Sequence, residues 1–300
     1  MSGPAVTPSG RIDPPLILDG LRDLVDDYDH FIIDQWGVVH DGHAPLPGAL
    51  DVLARLRAAG KGVCLLSNSS RGLGPSRALL RRIGVADHLY DAMVTSGALG
   101  EQALAALAAA GRPVALCLPG PPDPEGVVCG LGLPTTTDPD EATVLVGAGM
   151  AAAPPADGDP TLQAAVARGL PMLCLNPDIR SVQPDGSFLF CAGAWAEPYA
   201  ALGGAVQVWG KPLPAVYAAS RAALAAAGFR LERGLAIGDS LDHDIKGAED
   251  NGLDAVFISG GIEYEGNTER PWGAPSPDRL AAQLAARGRR PRASMGSLRW

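Results

Sequence analysis

The sequence predicts an α/β protein built on a parallel β-sheet with helices on both faces. Short apolar runs that end in Asp, Ser, Asn or Gly alternate along the chain with longer amphipathic stretches. The apolar runs are continuous, which is typical of strands buried on both faces. The chain has 300 residues, of which 47% are hydrophobic and 19% charged, so it can bury a substantial core and has room for two domains.

The apolar runs and amphipathic stretches predict strands and helices in alternation. In chain order, the predicted strands span residues 31–33, 62–66, 93–95, 114–118, 143–146, 172–175, 206–208, 235–237 and 255–258. The predicted helices span residues 48–59, 74–83, 99–109, 161–167, 194–202, 214–227, 242–251 and 277–286. Because helices separate most of the strands, the connections are crossovers and the sheet is doubly wound.

Composition and charge exclude several classes of protein. The formal net charge of −9 argues against a nucleic-acid-binding protein, which needs a basic face. No apolar run reaches the roughly 18 to 20 residues of a membrane span, and the first residues lack the pattern of a signal peptide. The five cysteines form no Cys-x-x-Cys pair, which favours free thiols in a reducing compartment. We therefore expect a cytoplasmic protein with no nucleic-acid or membrane partner.

The two ends of the chain lack the periodic pattern of the rest. Residues 1–17 are predicted to form a flexible leader. Residues 287–300 begin with Arg-Gly-Arg-Arg-Pro-Arg and are predicted to form a solvated basic tail.

Polar side chains follow four of the predicted strands at the edge where an α/β sheet binds ligands. The first delivers Asp34, the second Ser67 and Asn68, the seventh Lys211, and the eighth the acids Asp239 and Asp244. A carboxylate can attack phosphorus if the repulsion between the two anions is offset. Oxygen-ligated Mg²⁺ would offset it, and a lysine and a hydroxyl would hold the phosphoryl oxygens.

These motifs, in this order, resemble those of the haloacid dehalogenase (HAD) superfamily. The intervening segments resemble its class IIA, or C2-cap, branch, which contains NagD-like and 4-nitrophenylphosphatase-like sugar phosphatases. The supporting segments are 37–42, 47–49, 94–97, 176–178, 210–212 and 238–240, and the resemblance covers about residues 25–285. It implies a Rossmann-like core from residues 18–97 and 206–286, an α/β cap of the C2 type at 98–205, and a possible homodimer through the cap.

The resemblance also implies a role for each matched residue. Asp34 would be the nucleophile that forms an aspartyl-phosphate, and Lys211 would bridge it to the phosphoryl group. Ser67 and Asn68 would bind the phosphoryl group, and the cap residues Asn176 and Asp178 would select the substrate. The carboxylates of Asp34, Asp239 and Asp244 and the main-chain carbonyl of Trp36 would bind Mg²⁺.

One position departs from the family pattern. HAD phosphatases usually carry a second aspartate two residues after the nucleophile, where it protonates the leaving group, and here that residue is Trp36. Nearby His40 and Asp41 are candidate replacements, whereas Asp242 is expected only to be an N-cap or first-turn acid of a helix. We expect a Mg²⁺-dependent phosphatase for a small phosphorylated metabolite. The alternatives are a phospho-ligand sensor with weak turnover and, less compatible with the acidic fourth motif, a dehalogenase-like hydrolase.

Overall fold

A six-stranded parallel sheet forms the core of the protein. The computed structural model describes residues 16–111 and 113–300. The strands of this sheet are β1 (His30–Asp34), β2 (Gly62–Ser67), β3 (Ala92–Thr95), β12 (Gly234–Gly238), β13 (Asp254–Ile258) and β14 (Ala293–Met295). They have the order β14-β13-β12-β1-β2-β3, with β1 and β12 adjacent at the centre of the sheet. Every pairing in this sheet is parallel, which confirms the predicted fold class.

Helices cover both faces of the core sheet because successive side chains of its strands point to opposite sides. Phe31 and Ile33 of β1 belong to one apolar cluster, and Ile32 belongs to the other. The helices of the first face are α1 (Ala49–Ala58) and α2 (Leu73–Arg82). Those of the second are α7 (Pro214–Ala226), α8 (Lys246–Asp250) and α10 (Pro277–Arg287).

The chain between β3 and α7 builds two further sheets, and we call residues 113–208 the cap. A parallel sheet of order β11-β8-β6-β4-β5 contains β4 (Ala115–Leu118), β5 (Thr135–Thr136), β6 (Val144–Gly147), β8 (Met172–Cys174) and β11 (Val206–Val208). An antiparallel sheet contains β7 (Met150–Ala151), β9 (Arg180–Val182) and β10 (Phe188–Cys191). The remaining helices are α3 (Ser96–Ala110), α4 (Val127–Gly130), α5 (Pro160–Ala167), α6 (Gly193–Ala201) and α9 (Tyr264–Asn267).

The structure corrects two of the predicted boundaries. Residues 206–208 were predicted to open the second half of the core, but this strand pairs with Met172–Cys174 and completes the cap sheet. Residues 287–300 are not a solvated tail, because β14 pairs with β13 in the core sheet and Leu298 is buried. The strand Ala-Ser-Met has no β-branched or aromatic residue, so its composition does not signal a strand.

The structure describes the last two residues of the predicted leader and all five cysteines. Residues 1–15 of the predicted leader lie outside the described residues, and Ile17 forms a parallel bridge with Ser294. The five cysteines are free, and all of them except Cys129 are buried. Within residues 16–111 and 113–300, no helix has the length and apolar character to cross a membrane.

Candidate active site

Polar residues from several strand ends meet at the carboxyl edge of the core sheet. Asp34 is the last residue of β1 and Ser67 the last of β2, while Asp239 directly follows β12. The chain leaves β1 and β12 toward opposite ends of the sheet, which opens a crevice between them. Lys211 approaches from the segment that joins the cap sheet to α7.

Lys211 joins two of the carboxylates. Its Nζ lies 2.5 Å from Asp34 Oδ1 and 2.7 Å from Asp244 Oδ1, and all three side chains are at most 8% exposed. Charge-assisted hydrogen bonds of this kind are stronger than neutral ones, and burial shields them from water. The contact with Lys211 therefore fixes the direction in which the Asp34 carboxylate points.

Asp239 supplies a third carboxylate to the same cluster. One oxygen from each of Asp34, Asp239 and Asp244 can be chosen so that all lie within 4.8 Å of one another. Main-chain N–H groups orient two of them: Ile262 donates to Asp239 Oδ2 at 2.8 Å, and Ser240 donates to Asp244 Oδ2 at 3.1 Å. The cluster is thus held by backbone contacts as well as by Lys211.

Burial and crowding shift the pKa values of these groups. Burial raises the pKa of Asp34 to about 7, against the opposing effect of the Lys211 charge. Burial, with the charges of Asp34 and Asp244, raises the pKa of Asp239 well above its usual range. Burial acts to lower the pKa of Lys211, but the charges of Asp244 and Asp34 outweigh it and hold that pKa well above its usual range. Lys211 is therefore an ammonium. Its single positive charge does not offset the mutual repulsion of the three carboxylates.

Asn68 connects the core part of the site to the cap. Its Oδ1 accepts hydrogen bonds from the Lys211 main-chain N–H at 2.8 Å and from Ser96 Oγ at 3.1 Å. Its Nδ2 donates to Asp178 Oδ1 at 2.8 Å. The same Asp178 oxygen lies 3.1 Å from His243 Nδ1. The Asn68 side chain therefore sets the position of a cap carboxylate and of the loop that carries Lys211.

A cavity of about 290 Å³ lies over this cluster. Its walls include most of the residues singled out from the sequence. These are Asp34, Trp36, Ser67, Asn68, Asp178, Lys211, Asp239 and Asp244. Asn176 was predicted to select the substrate, and the structure places it outside the cavity wall. Its Oδ1 instead accepts the Asp178 N–H at 3.2 Å and shapes the turn before β9.

Sequence reasoning missed the other walls of the cavity. The missed residues are Ile179, Arg180, Ser181, Ser240, Asp242, His243, Ile262, Glu263 and Arg287. Two signals were available, since Ser240 and His243 lie within the Gly-Asp-x-x-x-x-Asp stretch and Arg180 closely follows Asp178. Asp242 is, as expected, an acidic residue in the first turn of a helix, Leu241–Ile245, whose N-cap is Ser240. It also lines the cavity, where it pairs with Arg287.

The structure places both candidate replacement acids outside the cavity. His40 is 2% exposed, and its Nδ1 accepts the Gly42 N–H at 3.0 Å. Asp41 Oδ1 accepts the N–H groups of His43 and Ala44, each at 2.8 Å, and so stabilises a turn. Trp36 does line the cavity, and its Nε1 donates to the main-chain oxygen of Val182 at 2.8 Å. The geometry therefore gives no support to His40 or Asp41 as the replacement for the missing acid.

Comparisons with known proteins agree with this fold and site. Residues 31–121 match the family described as haloacid dehalogenase-like hydrolase, and residues 208–286 match the family described as HAD-hydrolase-like. Human chronophin is 35% identical over 113 residues, which are 37% of this chain and 35% of chronophin. The chain thus matches about a third of the length of this curated relative.

Solved structures extend the similarity to nearly the whole chain. A hydrolase of the haloacid dehalogenase-like family from Brucella suis 1330 is 33% identical, covers 94% of this chain and 99% of its own, and has a TM-score of 0.75. A glycerol phosphate phosphatase from Mycobacterium tuberculosis, solved in complex with calcium, is 25% identical, with coverages of 86% and 76% and a TM-score of 0.53. The fold is that of the haloacid dehalogenase-like proteins, an α/β core with an inserted cap. The chain belongs to the haloacid dehalogenase-like family, which confirms the resemblance seen in its motifs.

Proposed function

We propose that the protein is a Mg²⁺-dependent phosphatase that transfers the phosphoryl group of a small phosphate ester to Asp34 and then to water. The observation that carries the proposal is the buried Lys211 ammonium between Asp34 and Asp244, with Asp239 beside them. The cavity of about 290 Å³ is at the small end of ligand pockets and favours a compact metabolite such as a sugar phosphate. The related enzyme solved with calcium acts, by its name, on glycerol phosphate.

The chemistry of the cluster fits a divalent cation. When all three carboxyl groups are ionised, they leave an excess of two negative charges over the one ammonium, and carboxylate oxygens are the ligands that Mg²⁺ prefers. The side chains of Asp34, Asp239 and Asp244 and the main-chain oxygen of Trp36 would hold the ion. When bound, it would neutralise the repulsion between the Asp34 carboxylate and the phosphate.

The residues of the chain then account for phosphoryl transfer. A carboxylate oxygen of Asp34 attacks phosphorus, an O–P bond forms to Asp34, and the bond from phosphorus to the ester oxygen breaks. The Lys211 ammonium and the Ser67 and Asn68 groups in the cavity wall stabilise the charge that develops on the phosphoryl oxygens. Hydrolysis of the aspartyl-phosphate by water returns Asp34 and releases phosphate.

The leaving group distinguishes this site from that of a typical family member. The indole N–H of Trp36 is too weakly acidic to protonate a departing oxygen, and it is bound to the Val182 oxygen, so Trp36 cannot act as the general acid. We propose that the departing oxygen takes its proton from water. A positioned general acid contributes about 10²- to 10⁴-fold to such a step. We therefore expect aryl esters, whose leaving groups are good, to react faster than alkyl esters.

The test is release of inorganic phosphate from p-nitrophenyl phosphate and from a panel of sugar and nucleoside phosphates, with and without Mg²⁺. Asp34→Asn should lower turnover by more than about 10³-fold while leaving the protein folded. Asp51→Asn is the matched control, because Asp51 is exposed on α1 and does not line the cavity. Turnover that survives Asp34→Asn would contradict the proposal.

The presence of Trp36 in place of the usual aspartate also favours a second function. With Trp36 at the usual acid position and both nearby alternatives outside the cavity, the site also suits a protein that binds a phosphorylated ligand and turns it over weakly. Such a protein would gain thermal stability from Mg²⁺ together with phosphate but would release no product from any member of the panel. Mg²⁺-dependent turnover that requires Asp34 excludes it.

A further inference from the structure

One hairpin of the cap contributes to the wall of the cavity over Asp34. We call residues 180–191 the cap hairpin; it consists of β9, a turn and β10. Arg180 and Ser181 of this hairpin line the cavity. The segment just before it carries Asp178, which accepts a hydrogen bond from Asn68. The position of the cap hairpin therefore determines the shape of the cavity over the nucleophile.

The strand register of the cap hairpin leaves the main-chain carbonyl of Val182 without a partner in β10. Gln183 donates its N–H to the Ser187 oxygen at 2.8 Å, so the next pair, Val182 with Phe188, is a pair without hydrogen bonds between its members. The Val182 oxygen accordingly points away from β10, on the outer side of the edge strand β9. Val182 is fully buried, and a buried carbonyl needs a hydrogen-bond partner.

Trp36 provides that partner. Its Nε1 lies 2.8 Å from the Val182 oxygen. The indole is held in place by the His40 ring, with centroids 5.8 Å apart in an edge-to-face arrangement, and by Gly42, where a Cβ would come within 2.3 Å of the indole. Trp36 stands two residues after Asp34, so this hydrogen bond ties the hairpin to the loop that follows the nucleophile.

A second contact from the core holds the turn of the hairpin. The hydroxyl of Tyr264 in α9 donates to the Gly186 oxygen at 3.0 Å, and its ring stacks on Phe188 with centroids 6.0 Å apart. The neighbouring Glu265 pairs with Arg180 at 3.2 Å. Tyr264 is outside the cavity wall, so its contact with the hairpin can be altered without touching the site.

We propose that Trp36 and Tyr264 are positioning residues that hold the cap hairpin over Asp34. Residue 36, where the family usually has a proton donor, thus holds the cap hairpin in place. The kinetic part of this proposal rests on the proposed phosphatase function, whereas the effect on the hairpin itself does not.

The first test is hydrogen–deuterium exchange of the full chain, followed in peptides that cover residues 180–191. Trp36→Phe and Tyr264→Phe each remove one donor and keep an aromatic ring. Each should speed exchange in the hairpin at least about fivefold, the factor that corresponds to loss of one net hydrogen bond. Tyr199→Phe is the matched control: it removes a buried hydroxyl that binds Leu170 within the cap, and it should leave exchange in the hairpin unchanged.

The second test separates positioning from general stability. In Tyr264→Phe, the KM for p-nitrophenyl phosphate should rise by the factor by which the closed fraction of the hairpin falls, with kcat within about twofold, because substrate binds only the closed fraction. Unchanged hairpin exchange in both variants would overturn the proposal, as would a uniform rise in exchange across the whole chain. If the wild-type protein shows no turnover, the phosphatase function fails, while faster hairpin exchange still supports the positioning role.

Discussion

Gly37 lies directly against the carboxylate of Asp239. A Cβ atom at residue 37 would be 2.0 Å from Asp239 Oδ2, and the backbone of Gly37 has a φ of 84°, which side chains rarely adopt. Gly37 follows β1 closely, and Asp239 follows β12. The contact therefore joins the loop after the proposed nucleophile to a carboxylate of the candidate metal site, and only glycine satisfies both of its requirements.

Gly37→Ala should displace Asp239 and abolish Mg²⁺-dependent activity, with a loss of about 2 to 5 kcal/mol in the free energy of unfolding from steric overlap and backbone strain. Gly60→Ala is the matched control, since Gly60 has a φ of 71° but open space where a Cβ would lie. It should cost about 1 to 2 kcal/mol and leave activity intact. Urea unfolding and phosphate release measure the two effects; equal activity in both variants would contradict the role of the Gly37–Asp239 contact.

Lys211→Met should destabilise the protein as well as stop turnover. It leaves buried carboxylates without their ammonium, and removing one partner of a buried ion pair costs about 3 to 5 kcal/mol. Unfolding in urea with EDTA present measures this loss in the absence of divalent cations. Lys246→Met, which removes an exposed partner of Asp250, should cost less than about 1 kcal/mol. Similar losses for the two variants would show that the buried pair is not a source of stability.

Mg²⁺ should raise the melting temperature of the wild-type protein by several degrees. A ligand at 100 times its Kd adds about 2.7 kcal/mol of stability. Asp239→Asn should abolish most of this increase, although the Asn oxygen can still accept the Ile262 N–H. Asp242→Asn should keep it, because Asp242 lines the same cavity but pairs with Arg287. Thermal unfolding with and without Mg²⁺ checks the prediction, which fails if both variants respond alike.

His30 should make stability depend on pH. It is fully buried at the start of β1, and burial lowers its pKa to about 4 from the ordinary value near 6.5. Between pH 6.5 and 4 the unfolded chain binds a proton that the folded one does not, so this residue lowers stability by about 3 kcal/mol as the pH falls through that window.

His30→Leu removes this dependence. Asp34 acts in the opposite direction, because its raised folded pKa makes stability increase as the pH falls, and only the difference between variant and wild type isolates His30. The variant should therefore gain up to about 3 kcal/mol relative to wild type between pH 6.5 and pH 4 in urea unfolding. A difference that stays constant over this range would contradict the buried, neutral state of His30.

Much of the site follows from local sequence. Asp34, Ser67 and Asp239 stand where continuous apolar runs end, and in a parallel sheet all such ends lie on one edge. Their positions at strand ends were therefore enough to predict that these side chains lie close together. In the structure they line one cavity with Lys211. Their chemical roles stay proposals until turnover is measured.

Other features depend on which segments pack against each other. Whether residues 206–208 join the core or the cap sheet is a matter of strand pairing. The strand β14 contains no β-branched or aromatic residue, so only its pairing with β13 identifies it as a strand. Asn176 and Asp178 are equivalent polar residues in the sequence, but the turn directs Asn176 to the backbone and Asp178 to the cavity.

The sequence by itself determined the fold class, the order of the strand-end motifs and the absence of the usual aspartate at residue 36, because these depend on local periodicity and residue type. Only the tertiary structure decided what Trp36 does instead. Its hydrogen bond to Val182 joins residues 146 positions apart, and the free carbonyl it meets exists only because of the register of the cap hairpin. Contacts of that range depend on the packing of whole elements, which no local pattern encodes.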